Sequence, residues 1–102
     1  MAIFLTNKSE YVEQRGDTHW WKWTAYLEGS EAELDEISFV EYHLHPSFPN
    51  PIRRIKMRSG GFPLKSKGWG VFELTAKVVF QDDRRPKVLR HWLEFSDARI
   101  DD

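Results

Sequence analysis

Apolar and polar side chains alternate with a period of two along much of this chain. Such alternation is typical of a β-strand that buries one face, because successive side chains point to opposite sides of the sheet. Less regular versions of the pattern span residues 19–27, 37–45 and 87–95. The clearest one spans residues 71–80, in which one parity is entirely apolar: Phe72, Leu74, Ala76, Val78 and Phe80. The pattern predicts a protein built mainly of strands.

Turn-forming residues separate these segments. Glu28-Gly29-Ser30 ends one strand, and Gln81-Asp82-Asp83 is typical of a hairpin between the last two long strands. Shorter strands are expected over residues 11–15 and 53–57, and Ser30 is expected to cap one helical turn over residues 30–36 through Glu33. Short strands separated by turns predict an all-β fold, an antiparallel β-sandwich of two packed sheets.

The composition suits a small β core. Aromatic residues make up 15% of the 102 residues, which is enough bulk to fill the interior of a short chain. Two domains of half this length would each be too small to bury a core, so residues 1–102 are expected to form a single domain, with residues 97–102 fraying. The predicted core contains Trp21, Trp23, Phe72, Leu74, Val78 and Leu93.

The composition also removes several classes of function. The chain has no cysteine, which excludes disulfides, thiolate metal sites and cysteine nucleophiles. The net charge of −1 gives no basis for general nucleic-acid affinity, so no direct nucleic-acid partner is expected. No apolar run approaches the ~20 residues that span a bilayer, and no signal peptide is evident, so no membrane association is expected.

The segment from His45 to Pro51 interrupts the strand pattern. Its three prolines lack the N–H that a central strand donates, so they predict a stiff loop at the end of a strand. A stiff loop that displays Ser47 and Phe48 suits a recognition surface. The alternative is that Phe48 closes the end of the sandwich while Ser47 satisfies a turn, and the loop residues by themselves favour that alternative.

Gly68-Trp69-Gly70 is the second unusual segment. Glycine on both sides leaves the backbone free to adopt positive φ and leaves the indole and the backbone N–H groups uncovered. Trp69 is then either a binding residue or a lid over the core, and the segment alone does not decide between them.

Signals for metal binding and catalysis are weak. His43 and His45 stand two residues apart on one strand face, a spacing that suits a metal ion, but nothing in the sequence brings His19 or His91 to them. No nucleophile motif and no phosphate-binding glycine loop is present. We therefore expect no metal, no cofactor and no catalysis. A small histidine–metal enzyme is a distant alternative.

Basic residues form three local groups within residues 53–58, 65–67 and 84–87. Such groups usually keep a protein soluble. The functional alternative is a basic strip beside the loops that attracts an acidic partner even though the whole chain is nearly neutral.

Taken together, the two loops resemble the YEATS domain family. Leu44-His45-Pro46-Ser47-Phe48-Pro49-Asn50-Pro51 is similar to the family's L-H-x-S/T-F/Y-x-x-P loop, and Gly68-Trp69-Gly70-Val71-Phe72 to its G-W/Y-G/A-x-F segment. His19-Trp20-Trp21 resembles the H-x-W of an early strand, and Leu89-Arg90-His91-Trp92-Leu93 resembles the closing hairpin. The resemblance covers about residues 18–95, and the order of the pieces is more specific than any one of them.

The resemblance implies an immunoglobulin-like β-sandwich and a non-catalytic reader of acylated lysine, such as acetyl- or crotonyl-lysine, on a peptide or protein. The implied pocket lies between the two loops, with Phe48 and Trp69 on either side of the flat acyl amide. Ser47 would hydrogen-bond the amide, and His45 would orient Ser47. The backbone of Gly68–Gly70 would bind the acyl carbonyl.

Two departures from the family pattern bear on the pocket. The aromatic residue that many eukaryotic members place before H-x-W is missing, because Gly16 and Asp17 stand there. Gly60-Gly61 replaces the Pro-Pro before Phe62, which predicts a looser loop. These features resemble small prokaryotic YEATS-like modules and imply a cytoplasmic location, whereas a eukaryotic member would be nuclear and would bind histone tails. An interaction or structural module without acyl-lysine recognition is the alternative function.

Overall fold

Seven strands and one short helix make up the described part of the chain, residues 3–95 of a computed structural model. The residues predicted to fray, 97–102, lie outside this part. The elements in chain order are β1 (Phe4–Arg15), β2 (Thr18–Glu28), α1 (Glu31–Asp35), β3 (Ile37–His43), β4 (Ile52–Ile55), β5 (Leu64–Gly68), β6 (Glu73–Phe80) and β7 (Lys87–Trp92).

The strands form two sheets. One sheet has three strands in the order β1-β2-β5, the other has four in the order β4-β3-β6-β7, and every neighbouring pair is antiparallel. The apolar faces of the two sheets meet in one core cluster that includes residues of both. The predicted all-β, antiparallel, immunoglobulin-like sandwich is confirmed. The predicted β6–β7 hairpin is also present, as is the helical turn, in which Ser30 and Glu33 form a reciprocal capping box.

The core follows the predicted parity with one exception. Trp21 is only partly buried, and its ring stacks on Phe95 with the ring centroids 4.9 Å apart and meets the edge of Tyr11. Trp21 lies near the start of β2, where the β1–β2 register shifts, so few core residues cover it. The other five predicted core residues are buried: Trp23, Phe72, Leu74, Val78 and Leu93.

The sequence pattern did not predict two strand segments. β5 was not predicted because its inward positions are Leu64, Ser66 and Gly68, and only the first of these is a large apolar residue. β1 begins at Phe4, well before the predicted start at residue 11. The sequence pattern missed its first half because polar residues such as Asn7 occupy several of its inward positions. Both segments are strands because β2 pairs with them on its two edges.

The loop before β5 is tightly held, contrary to the expectation raised by its two glycines. Gly60 and Gly61 both have positive φ, of 84° and 83°, which glycine adopts without steric cost. The backbone N–H of Leu27 donates to the Gly61 carbonyl at 2.8 Å, and the buried hydroxyl of Tyr42 donates to the Phe62 carbonyl at 2.6 Å. The loop is therefore anchored to both sheets. No helix within residues 3–95 is long and apolar enough to cross a membrane.

A pocket between two loops at one end of the sandwich

The two unusual loops lie at the same end of the sandwich. Residues 44–51 connect β3 to β4, residues 69–72 connect β5 to β6, and these strands belong to different sheets. A cavity of about 330 Å³ lies between the loops. All six residues singled out in the sequence line it: His45, Ser47, Phe48, Gly68, Trp69 and Gly70.

The proline-rich loop is held in shape by hydrogen bonds across its base. The backbone N–H of Leu44 donates to the Pro51 carbonyl at 2.7 Å. The Arg53 guanidinium donates to the carbonyls of Asn50 and Pro49 at 3.1 and 3.0 Å. These bonds and the fixed φ of the prolines leave the loop few alternative shapes, so its side chains are positioned before any ligand arrives.

His45 and Ser47 form a polar pair at the mouth of the cavity. The Ser47 backbone N–H donates to His45 Nδ1 at 3.1 Å, and the Ser47 hydroxyl lies 2.9 Å from the same nitrogen. A ring nitrogen that accepts from a backbone N–H carries no proton, which assigns the imidazole proton to Nε2. The hydroxyl then donates to Nδ1, and the lone pairs of Ser47 Oγ are left to accept a hydrogen bond.

Phe48 and Trp69 supply aromatic surface in different ways. Phe48 is partly buried, and its ring packs on Phe72 at 5.4 Å and against the edge of Trp23 at 6.5 Å between centroids. Trp69 is 65% exposed. Phe48 is thus fixed from below by core rings, whereas much of the Trp69 indole is available for contact.

The glycines beside Trp69 do not use the freedom expected of them. Positive φ occurs at Gly16, Gly60 and Gly61 but not at Gly68 or Gly70. A Cβ on Gly68 would lie 3.6 Å from Trp23 Nε1, which is ordinary contact, and a Cβ on Gly70 would meet nothing within 4 Å. The glycines therefore keep this side of the cavity bare of side chains, and the backbone conformation does not require them.

Trp20 also lines the cavity, and sequence reasoning missed it. Its neighbour Trp21 pairs with Gly68, so Trp20 lies beside the start of the Trp69 loop. The Arg15 guanidinium lies 5.4 Å from the Trp20 ring centroid. A signal for its role was present: Trp20 stands on the outward parity of β2, where an aromatic ring has no core to fill. It supplies an aromatic wall although the family's usual upstream position holds no ring.

Charge is nearly absent from the cavity lining. Among the lining residues Lys67 is the one with a full charge, and none is a carboxylic acid.

Outside the cavity, two shifted pKa values belong to residues that hold the fold together. The pKa of the Glu41 carboxyl is held below its ordinary value, first by the hydrogen bond from Arg54 and then by His43. Burial raises the pKa of the Tyr42 hydroxyl, which keeps it protonated as a donor.

The histidines do not form a metal centre. His43 contacts Glu41, His19 contacts the Tyr11 hydroxyl, and His91 contacts Asn7. No group of three or more potential ligands comes together within residues 3–95. Each of these histidines instead has its own hydrogen-bond partner.

The fold and the cavity together define a β-sandwich binding module with an aromatic pocket at one end that is lined by no carboxylate. The sequence profile of the prokaryotic YEATS domain matches residues 21–94. This chain belongs to the YEATS domain family. Family membership also confirms the prediction of a binding module without catalytic activity.

Fungal proteins are among the curated relatives of this chain. The AF-9 homolog of Eremothecium gossypii is 35% identical over 78 residues, which cover 72% of this chain and 36% of that protein. The transcription initiation factor TFIID subunit 14 of Schizosaccharomyces pombe is 35% identical over 68 residues, which cover 67% of this chain and 27% of that protein. The chain thus spans about a third of the length of these relatives.

Solved structures agree on the fold. The yeast AF-9 homolog Yaf9 superimposes with a TM-score of 0.78 at 24% identity, covering 98% of this chain and 70% of that one. The Yaf9 YEATS domain bound to H3K27ac has a TM-score of 0.68 at 26% identity, covering 92% of this chain and 69% of that one. A third structure is that of the Yaf9 YEATS domain recognising an H3K122suc peptide.

Proposed function

We propose that this chain is a non-catalytic reader of acylated lysine and that residues 1–102 act as one domain for this purpose. The observation that carries the proposal is the cavity itself, in which an exposed Trp69 and a firmly seated Phe48 flank a space without carboxylates. The relationship to Yaf9 YEATS domains bound to acylated histone H3 peptides supports it.

Acylation changes lysine in a way that suits this cavity. It removes the ammonium charge and leaves a planar amide with an apolar tail. The flat amide and tail lie between the rings of Phe48 and Trp69, with Trp20 as a further aromatic wall. Aromatic faces contact a planar group over a large area at low entropic cost.

The polar groups at the cavity mouth supply one acceptor and one donor. Ser47 Oγ accepts from the amide N–H of the acyl-lysine, because its own proton is directed to His45 Nδ1. A backbone N–H in the Gly68–Gly70 segment donates to the acyl carbonyl. His45 acts on the ligand through Ser47, whose hydroxyl it orients.

Unmodified lysine is excluded by solvation and by charge. Its ammonium would lose water without gaining a carboxylate partner, which costs several kcal/mol in an apolar site. Lys67 on the cavity rim adds repulsion between like charges. The pocket therefore favours acylated over unmodified lysine for two reasons: it has no carboxylate to pair with an ammonium, and its aromatic rings contact the acyl amide.

The acyl group and the partner belong to the same proposal. The cavity is open, so acetyl-lysine fits, and a longer planar chain such as crotonyl gains contact with the aromatic rings. The partner is an acylated-lysine peptide or protein, which is a histone tail in a eukaryotic host. A cytoplasmic location in a prokaryote and a nuclear one in a eukaryote stay predictions.

Titration calorimetry with matched peptides tests the proposal. One lysine peptide is compared in unmodified, acetylated and crotonylated forms, and both acylated forms should bind while the unmodified form does not. Trp69→Ala should weaken acyl-peptide binding by ~1–3 kcal/mol, as expected for loss of one stacking ring. Ser47→Ala should cost ~0.5–1.5 kcal/mol, as expected for one hydrogen bond.

Trp92→Ala is the matched control, because Trp92 is 61% exposed, similar to Trp69, but is not among the residues that line the cavity. Its binding should equal that of the parent protein. Equal binding of acylated and unmodified peptides would refute the reader function, and so would an equal loss in the Trp69 and Trp92 variants.

The alternative function, a protein-interaction module, has one observation in its favour. Val88 and Trp92 are 53% and 61% exposed on β7, an edge strand of the four-stranded sheet. Apolar side chains on an edge strand suit contact with another protein. A partner whose binding is lost in Trp92→Ala and kept in Trp69→Ala would support this alternative.

A further inference from the structure

A cluster of lysines covers the outer face of the three-stranded sheet. Lys22 on β2 pairs directly with Lys67 on β5, while Lys8 on β1 and Lys65 on β5 both pair with Thr24 between them. All four lysine side chains are exposed. We refer to Lys8, Lys22, Lys65 and Lys67 as the lysine face.

The lysine face is continuous with the acyl-lysine pocket. Lys67 lines the pocket, and its cross-strand neighbour Lys22 lines a separate depression of about 540 Å³ together with Lys8 and Lys65. Neighbouring strands lie ~5 Å apart and residues on one face repeat every ~7 Å along a strand. A bound peptide therefore reaches these ammonium groups within a few residues of its acylated lysine.

The positive charge on this face is only partly offset within the described residues, by Glu10, which lies opposite Lys22 on β1. The ion pairs of residues 3–95 use arginine or histidine as the cation, and none involves the lysine face. Glu10 is the one acidic residue that lines the depression. Like charges directly opposite on paired strands destabilise a sheet, so the Lys22–Lys67 pair carries a cost that an anionic partner would remove.

At the other end of the sandwich, acidic side chains are paired with arginines. The acidic residues of α1 and its cap lie at the other end of the sandwich, where Arg58 and Arg84 pair with several of them. The chain as a whole is nearly neutral, with a net charge of −1. Basic side chains at that end are therefore offset by neighbouring acids, whereas the lysine face keeps an excess of positive charge beside the pocket. Such a local excess suits a ligand whose negative charge lies next to an acylated lysine.

We infer that this protein prefers acylated lysines that are flanked by aspartate or glutamate, and that the lysine face reads these flanking residues. The inference rests on the proposed function, because it concerns residues next to the acyl-lysine in the pocket. Each exposed ion pair contributes little, so two or three of them give a preference of about five- to tenfold, which salt should screen.

The test uses acetyl-lysine peptides that are identical except for their flanks, which are acidic, neutral or basic, each also made without the acetyl group. In fluorescence polarisation at low salt, the acidic peptide should bind about five- to tenfold more tightly than the basic one. The preference should largely disappear near 0.5 M salt.

Variants assign the preference to the face. The double substitution Lys22→Gln with Lys65→Gln should remove the preference and leave affinity for the neutral peptide unchanged. The control, Lys77→Gln with Lys87→Gln, changes the net charge equally on the other sheet and should keep it. Equal affinity for acidic and basic flanks overturns the inference, and so does a preference that survives the first double substitution.

The outcomes separate this inference from the proposed function. If no acetylated peptide binds better than its unacetylated twin, the reader function itself fails. If acetylation matters and the flanks do not, only the inference about the lysine face fails. Tighter binding of a short DNA duplex than of the acidic peptide, lost in the Lys22/Lys65 variant, would assign the face to nucleic acid and overturn the inference.

Discussion

Gly61→Ala should destabilise the protein more than any other glycine-to-alanine change in the loop before β5. Gly61 has a φ of 83°, and a Cβ there would overlap the carbonyl oxygen of Leu27 on β2. The left-handed conformation alone costs alanine roughly 1–2 kcal/mol. The overlap adds more, because relieving it separates two backbones that are joined by the Leu27–Gly61 hydrogen bond, which contributes ~0.5–1.5 kcal/mol. We expect a total loss of about 1.5–3.5 kcal/mol.

Urea denaturation followed by tryptophan fluorescence measures this loss, and two other glycines provide the controls. Gly60 has the same φ sign, but its Cβ would only touch Pro63 at 3.6 Å, so Gly60→Ala should show the conformational cost alone. Gly70→Ala should be close to neutral, because its φ is not positive and nothing lies within 4 Å. If Gly61→Ala is no worse than Gly60→Ala, the close approach to Leu27 does not govern this loop and the reasoning is wrong.

Three further predictions concern the core, the loop and the acid response. Tyr42→Phe should lose about 1–3 kcal/mol in urea melts, because the Phe62 carbonyl is left without its buried donor. Arg53→Lys should weaken acyl-peptide binding in calorimetry while the urea midpoint changes little, because lysine cannot bond both loop carbonyls with one planar group. The pKa of Asp82 is lowered chiefly by its hydrogen bond from Arg84, so this carboxylate stabilises the fold above its ordinary pKa of 3.8, and the contribution is lost as pH falls through the lowered value. Asp82→Asn should therefore show a shallower loss of stability in acid titrations monitored by circular dichroism.

The strands that could be predicted are those whose own side chains carry the burial signal. In β6 every inward position is apolar, so parity alone identifies the buried face. β5 has the weak inward set Leu64, Ser66 and Gly68, and its strand character comes from pairing with β2. Trp21 was predicted to be buried because it has the inward parity, but it is only partly buried. It lies at the end of the sheet, and a sequence pattern does not show how many core residues are there to cover it.

The site could be predicted in its parts and through a family resemblance, but its assembly could not be read from local sequence. His45 and Trp69 are more than twenty residues apart, and they share a cavity because β3 and β5 end at the same edge of two different sheets. Local rules also gave the wrong reason for the glycines beside Trp69, which have ordinary φ values. Trp20 was missed because the sequence does not show which loop lies beside an outward-facing aromatic residue, and only that loop makes Trp20 part of a cavity.

The seating of Phe48 on Trp23 and Phe72 has a consequence for how this protein would evolve. One wall of the pocket rests directly on the hydrophobic interior, and the position of the Phe48 ring is set by the two residues beneath it. A change of volume at Trp23 or Phe72 would tilt or shift that wall, and the aperture would widen or narrow without any substitution in the pocket lining. Under the proposed function, selectivity for acyl length would then depend partly on the interior, and relatives with identical loops would differ in the acyl groups that they accept.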